Sequence, residues 1–389
     1  MTSRFLENLT LSTLVAPVKL EEFRARYWEQ EPLVIHRQDP DYYGDLFTLR
    51  DFDDAITRSP EYVKMANAET KKNRSYKTEV APGLEAVLED MRDGGTLVLD
   101  QLHHRERKLG LLCRTLAQEF GHRLQTNLYL TPPHGKGFAP HWDNHDVFIL
   151  QVFGSKRWSL EKQRRVFPIK DSSMGDDGRE LRGELNVFTL NQGDLIYIPR
   201  GFVHAAECGD VPSLHITAGV TAIFMEDFLR AAVKSAILRD ESLRTVLPLG
   251  FMRNATGDVV KRAAAAFRQL ADEVLLTGVM EQFKDELVKT YLLDISGQVE
   301  AYFQPAPLAL ADRVGPRRGV VCRYHHNDEA LQITYGGRNI VFPSFCRESL
   351  EFALNTPAFA IREIPGEMED EERLVFIERL MIEGLVVRM

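Results

Sequence analysis

Between residues 95 and 220 the chain is written as short apolar runs broken by Gly, Pro and Asp. Residues 96–99, 124–131, 147–153, 157–160, 194–198 and 213–220 read as strands. Strands this short, with turn chemistry at the junctions, predict a mainly β fold with helices, built on a barrel or double-sheet jelly roll. Residues 108–120 are the exception and carry helical spacing. At Phe224 the period changes to 3.6, and Phe228, Leu229, Ala232, Val233, Ala236 and Ile237 share one helical face. Residues 258–292 continue as helix and end near Gly297. So long a helical segment after a complete β domain predicts a dimerisation element, and hence a homodimer.

The flanking regions are mixed. Residues 20–28 read as an amphipathic helix with Phe23 and Tyr27 four apart, 32–35 as a strand, and 47–57 as a helix. Tyr43 and Phe47 read as core. Beyond Pro305, residues 320–324, 330–335 and 339–342 are strands with Gly336-Gly337 as a turn. Residues 370–383 form a helix stopped by Gly384, and 385–387 a last strand. Small helices with a β-ribbon resemble a winged helix, a fold that often binds DNA. Residues 301–389, however, hold ten arginines, no lysine and thirteen acidic residues, five of them within 367–372. Phosphate binding needs concentrated Lys and Arg, so this module is not expected to bind DNA directly; a scaffold or partner-docking role fits better. The expected division is a catalytic domain with an N-terminal α/β extension at 1–222, a helical dimerisation region at 223–303 and a winged-helix-like domain at 304–389. A chain of 389 residues accommodates two to three domains at about 150 residues each.

Composition narrows the class. Hydrophobic residues make up 44% and charged residues 27%, ordinary for a soluble globular protein. No apolar run reaches the roughly 18 residues of a membrane span. The first fourteen residues carry Arg4 and Glu7 and lack a long apolar region, so no signal peptide is read. The four cysteines are far apart with no C-x-x-C, which predicts neither disulfides nor a cysteine zinc site, and a reducing, cytoplasmic setting. A net charge of −9 argues against a surface that coats nucleic acid.

The chemistry concentrates in residues 127–158 and 193–204. In His141-Trp142-Asp143 the imidazole and carboxylate are i and i+2, so an extended strand points both the same way. Downstream, Gly193-Asp194 feeds an apolar strand, and Pro199-Arg200-Gly201 makes a tight turn that presents His204. Two histidines and a carboxylate on a β scaffold form the facial triad that binds non-haem Fe(II) and leaves three positions open. His141, Asp143 and His145 form another triad on paper. On one extended strand they would spread over about 13 Å, so His204 is preferred.

The segments N-L-Y-L-T-P-P, G-F-A-P-H-W-D, D-V-F-I-L-Q-V-F-G-S-K-R-W, G-D-L-I-Y-I-P-R-G-F-V-H and S-L-H-I-T-A-G carry a family resemblance. The chain resembles the JmjC/cupin oxygenases of the ribosomal-oxygenase type. The resemblance implies a double-stranded β-helix, Fe(II) with 2-oxoglutarate and O2 as co-substrates, and His141, Asp143 and His204 as metal ligands. It implies that Lys156 holds the distal carboxylate of 2-oxoglutarate, and that Asn127, Tyr129 and Ser213 line or hydrogen-bond the co-substrate pocket. It also implies hydroxylation of an Arg or His side chain of a protein or peptide, such as a ribosomal protein.

Other readings stay open on the sequence. A cupin metalloenzyme working without 2-oxoglutarate is one; Lys156 with Tyr129 and Asn127 speaks against it. A hydroxylase of a non-ribosomal peptide or small molecule is another, and a scaffold with a decayed metal site a third. Asp143–Asp146 and the loop with Asp176-Asp177 offer acidic groups for a basic peptide. His145 or Asp146 can contact substrate at the rim, and His215 is either beside the ligands or simply packed. His103, His104, His325 and His326 read as solvent-facing pairs.

Overall fold

The computed structural model describes the chain except for residues 1–4, 59–61, 68–71, 76–83, 170–171, 173–179, 254–256, 305 and 327. The loop carrying Asp176-Asp177 and the residue Pro305 therefore lie outside the described residues. The chain divides into two compact units, Met1–Ala222 and Ile223–Met389.

Among its described residues the first unit holds ten strands: β1 Leu33–Ile35, β2 Val63–Asn67, β3 Lys72–Ser75, β4 Thr96–Leu99, β5 Arg123–Thr131, β6 Asp146–Glu161, β7 Leu185–Asn191, β8 Leu195–Ile198, β9 His204–Glu207 and β10 Ser213–Thr221. They pair antiparallel in the order β1-β8-β6-β10-β5-β4-β2-β3, with β7 and β9 also on β6. Strand β6 organises the two layers. Its first half pairs with β8 and β10, its second half with β7 and β9. The change of partners occurs at Gly154, where φ is +65° and a Cβ would lie 1.8 Å from the Pro212 carbonyl oxygen. Only glycine tolerates both conditions. The sequence pattern splits this strand into 147–153 and 157–160; the structure joins them, because glycine bends the strand without ending it.

The unbroken apolar run Val147–Leu150 follows from burial on both faces. Val147 and Ile149 join a core with Trp158, Leu160, Leu190, Ile196, Ile198 and Phe202. On the other face, Phe148 meets Phe23, Phe120 and Tyr197 at ring separations of 5.8, 5.7 and 4.8 Å. Tyr43 and Phe47 are buried core residues. Two expectations change in detail. Residues 20–28 form a short α turn, Leu20–Glu22, followed by a π-helical turn, Phe23–Tyr27. Strands β2, β3, β7 and β9 appear where no strand was read; β7 alternates poorly and is mostly exposed.

The second unit starts with helices Met225–Arg239, Gly257–Leu270 and Glu273–Val288. The helix expected over 258–292 is thus two helices. Asp272 caps the second, its carboxylate accepting from the Leu275 amide at 2.9 Å. Then come β11 Arg313–Pro316, β12 Cys322–His326, β13 Ala330–Tyr335, β14 Arg338–Pro343, β15 Phe359–Ala360 and β16 Val386–Arg388, in two three-stranded sheets. Helices Arg347–Asn355 and Asp370–Ile382 share a core with them, centred on Leu331, Ile333, Leu350, Ile377 and Leu380.

Candidate metal centre

Two backbone hydrogen bonds build the centre. His141 and His204 form an isolated antiparallel bridge: the His141 amide donates to His204 O at 3.1 Å, and the His204 amide to His141 O at 2.8 Å. Residues paired in this way project side chains to one face, and the two imidazoles stand 4.5 Å apart between centroids. Asp143 then comes from a loop, not from an extended strand; only His141 is in the bridge. The Asp143 carbonyl accepts from the Gly201 amide at 3.0 Å, which ties the loop to the turn before His204. One ligand atom from each of His141, Asp143 and His204 lies within 4.8 Å of the others.

The tautomers suit a cation. His141 Nδ1 donates to Ala139 O at 2.9 Å and His204 Nδ1 to Phe202 O at 3.0 Å. Each Nε2 is left as a lone-pair donor, and His204 Nε2 sits 3.7 Å from Asp143 Oδ2. Burial, helped by neighbouring His141, pushes His204 down to about 4. Burial acts to raise the Asp143 carboxyl, but His141, His204 and His145 outweigh it and hold it below its ordinary value. A neutral imidazole beside an ionised carboxylate is the ligand state a divalent metal needs. His145 is not in this triad. Its Nδ1 lies 3.1 Å from Asn144 Oδ1, and its ring rests on β10 where Gly219 has no Cβ: one would come within 2.6 Å of Nε2.

The triad opens on a cavity of about 290 Å³. Strands β5, β10 and β6 form its floor: Asn127 and Tyr129 stand opposite Thr217 and His215. Tyr129 and His215 stack at 5.0 Å and 11°. Burial raises the Tyr129 hydroxyl and holds His215 well below its ordinary value, so both are neutral. Asn127 Oδ1 accepts from the Gln101 amide at 2.9 Å.

Lys156 lies at the inner end, buried, its Nζ donating to Thr131 Oγ1 at 2.7 Å. Thr131 Oγ1 is in turn 2.9 Å from Thr96 Oγ1. Burial pushes the Lys156 ammonium down to about 8. Its neighbour Arg157 faces the other way and pairs with Glu207 at 3.0 Å. Among the described residues this ammonium has a hydroxyl and no carboxylate for a partner, which is costly when buried, and a ligand carboxylate is its complement. With the triad, it fits a metal and an anionic co-ligand in one cavity.

Thr131 and Thr96 were missed as site residues. Period two from Asn127 and Tyr129 leads to Thr131; nothing in the sequence points to Thr96. Two expected residues stand elsewhere. Ser213 is fully buried and does not line the cavity; its Oγ accepts from Gln151 Nε2 at 2.9 Å. Asp146 is not at the rim: it is fully buried, accepting from the Arg200 amide at 2.7 Å. Of the paired histidines, His103 is half-buried and accepts from the Thr126 amide, while His325 meets Asp285 at 2.9 Å and His326 meets Arg347 at 2.6 Å. His104 and His326 are exposed in the manner expected, while His103 and His325 are half-buried.

Comparison with known proteins agrees with this geometry. Residues 102–228 match the model of the JmjC domain. Ribosomal oxygenase 1 of Gallus gallus is 34% identical over 322 residues, covering 75% of this chain and 53% of the relative. A protein of Drosophila erecta named bifunctional lysine-specific demethylase and histidyl-hydroxylase NO66 is 34% identical over 254 residues, covering 61% and 38%. The chain thus spans about half or less of these relatives' own length. Among solved structures, YcfD of Escherichia coli, described as a ribosomal oxygenase in complex with cobalt and 2-oxoglutarate, superposes with a TM-score of 0.56. Coverage is 96% of this chain and 98% of that one; at 16% identity the likeness speaks for the fold alone. Residues 102–228 thus match the JmjC domain, and 75% of the chain is similar to a protein named ribosomal oxygenase 1.

Proposed function

We propose that the protein is an Fe(II)- and 2-oxoglutarate-dependent oxygenase that hydroxylates a side chain of a protein or peptide, such as a ribosomal protein. The observation that carries this is the shared cavity: a His-Asp-His triad at one place and, at another, a buried ammonium with no carboxylate partner among the described residues. When bound, Fe(II), 2-oxoglutarate and O2 together supply the oxidation that turns C–H into C–OH, with 2-oxoglutarate leaving as succinate and CO2. His141, Asp143 and His204 hold the metal on one side and leave the other side open. Lys156 holds the distal carboxylate as a point charge, braced by Thr131. Tyr129 and Asn127 line the same cavity and orient the co-substrate. The apolar walls, Val147, Ile149 and Trp158, keep water from the reacting centre.

The lining favours histidine over arginine as target. Asp143 is the one carboxylate among the described residues that line the cavity, and the metal uses it. A guanidinium would enter without a counter-charge, whereas a neutral imidazole has Asn127, Tyr129 and His145 for partners. The relative named histidyl-hydroxylase supports the same choice.

The rest of the reading concerns assembly. The helices after residue 223 expose Leu238, Val260, Phe267 and Val274, an apolar surface suited to a homodimer. Residues 304–389 are read as a winged-helix-like module that docks protein rather than DNA. All four cysteines are free thiols, which supports a cytoplasmic setting. No described helix is long and apolar enough to cross a membrane.

The test is an anaerobic titration of metal-free protein with Fe(II), then 2-oxoglutarate, following the visible charge-transfer band. A band that forms with 2-oxoglutarate and is lost in His141→Ala is the expected result. Histidine peptides should then gain one oxygen by mass, and matched arginine peptides should not. Metal-loaded protein without the band would sink the 2-oxoglutarate reading in favour of another cupin chemistry.

A further inference from the structure

A second cluster of charged groups, two of them buried, is tied to the segments that carry the triad and is not used by the proposed reaction. Asp146 is the first residue of β6 and is fully buried. Its Oδ1 accepts from the Arg200 backbone amide at 2.7 Å, and its Oδ2 has no hydrogen-bond partner among the described residues. The Arg200 side chain is also buried and meets the Glu29 carboxylate, Nη1 to Oε1, at 2.7 Å. Glu29 belongs to the N-terminal extension and has a left-handed φ of 55°. Its amide donates to the Tyr197 hydroxyl at 2.8 Å, and its carbonyl accepts from the Arg164 guanidinium. A strained residue held by this many contacts marks a fixed point in the fold.

The position of this cluster gives it meaning. Asp146 follows Asp143 by three residues, and Arg200 precedes His204 by four. The Pro199-Arg200-Gly201 turn is therefore held to the Asp143 segment twice, by Asp146 on the Arg200 amide and by the Asp143 carbonyl on the Gly201 amide. Gly201 has φ +82°, and a Cβ there would lie 1.9 Å from Val166 O, so the turn has little room to relax.

We propose that Asp146, with Arg200 and Glu29, is a positioning element that sets how closely His204 is held to Asp143 and thereby sets the affinity of the metal site. The proposal rests on the reading of His141, Asp143 and His204 as metal ligands. It adds residues that touch neither metal nor substrate.

The test is a Co(II) titration of the metal-free full chain, reading the dissociation constant and the visible d–d spectrum. Thermal unfolding of each metal-free variant is read alongside. Asp146→Ala should weaken Co(II) binding roughly ten- to a hundredfold and alter the spectrum. Asp146→Asn keeps an oxygen for the Arg200 amide and should stay within about threefold of the parent, a rescue that a bulk effect of charge would not give. Glu29→Ala, at a partly exposed position, should weaken binding by about tenfold, and it decides the matter if Asp146→Ala does not fold. Folded variants with lower unfolding temperatures but unchanged Co(II) affinity and spectrum would overturn the proposal. A parent protein that binds no Co(II), or a His204→Ala variant that binds it equally well, would instead overturn the metal reading beneath it.

Discussion

Lys156 shows how much of the candidate site resides in single side chains. Its amine is buried and donates to the Thr131 hydroxyl. Removing it by Lys156→Met should cost about 3 kcal/mol in 2-oxoglutarate binding, roughly a hundredfold, read as the dissociation constant on Mn(II)-loaded protein. Its pH dependence has a defined sign. The folded-state value near 8 lies below the ordinary 10.5, so between these the unfolded chain holds the proton more tightly and ligand-free stability rises with pH. Dicarboxylate binding needs that proton, so affinity should fall above pH 8 by up to about tenfold per unit. Lys156→Arg, which stays charged, should bind with a flat profile if it binds; a flat profile in the parent would contradict the assignment. The triad residues and Lys156 were legible because each sits in a short motif with its own turn. Thr96 was not, because it reaches the site from β4, across β5, far away in sequence. Asp146 was misplaced for a local reason: the loop from His141 ends where β6 begins, and the strand turns that carboxylate away from the cavity.

At the scale of elements, β6 does what two strands were expected to do. Its bend rests on Gly154, which lies two residues before Lys156 and close against Pro212. Gly154→Ala should lower stability by more than about 1 kcal/mol, seen as a lower unfolding temperature, and should weaken 2-oxoglutarate binding as well. Gly183→Ala is the control: φ is +72° there, but nothing lies within 4 Å of the added carbon. It carries the backbone strain without the clash, so equal effects from the two would show that close approach to Pro212 is unimportant. Most strands were legible because their apolar runs are bounded by Gly, Pro or Asp. The β7 strand was not, because Leu185 and Val187 on one face and Phe188 and Leu190 on the other leave no clean alternation. The break at Asp272 was also missed: a cap inside a continuous helical period is visible only as one residue, and its bond to the Leu275 amide decides the matter.

At the scale of the whole molecule, the helices after residue 223 leave large apolar side chains exposed. Phe267 and Val274 are among them. The protein should sediment at about twice 44.4 kDa at micromolar concentration. Phe267→Asp with Val274→Asp should shift it to the monomer while leaving the metal site intact. A parent protein that sediments as a single chain would sink the dimer reading. The boundary between the two compact units, after Ala222, coincides with the change of hydrophobic period from two to 3.6 near Phe224.

The backbone bridge between His141 and His204 has a consequence for how the protein chooses its metal. Folding alone brings two of the three candidate ligands together, so an ion need not organise the chain as it does in a zinc finger. Two imidazoles and one carboxylate accept several first-row divalent ions, so ligand type alone does not choose among them. Which metal the protein carries is then decided less by its architecture than by the supply of ions in the compartment where the chain folds.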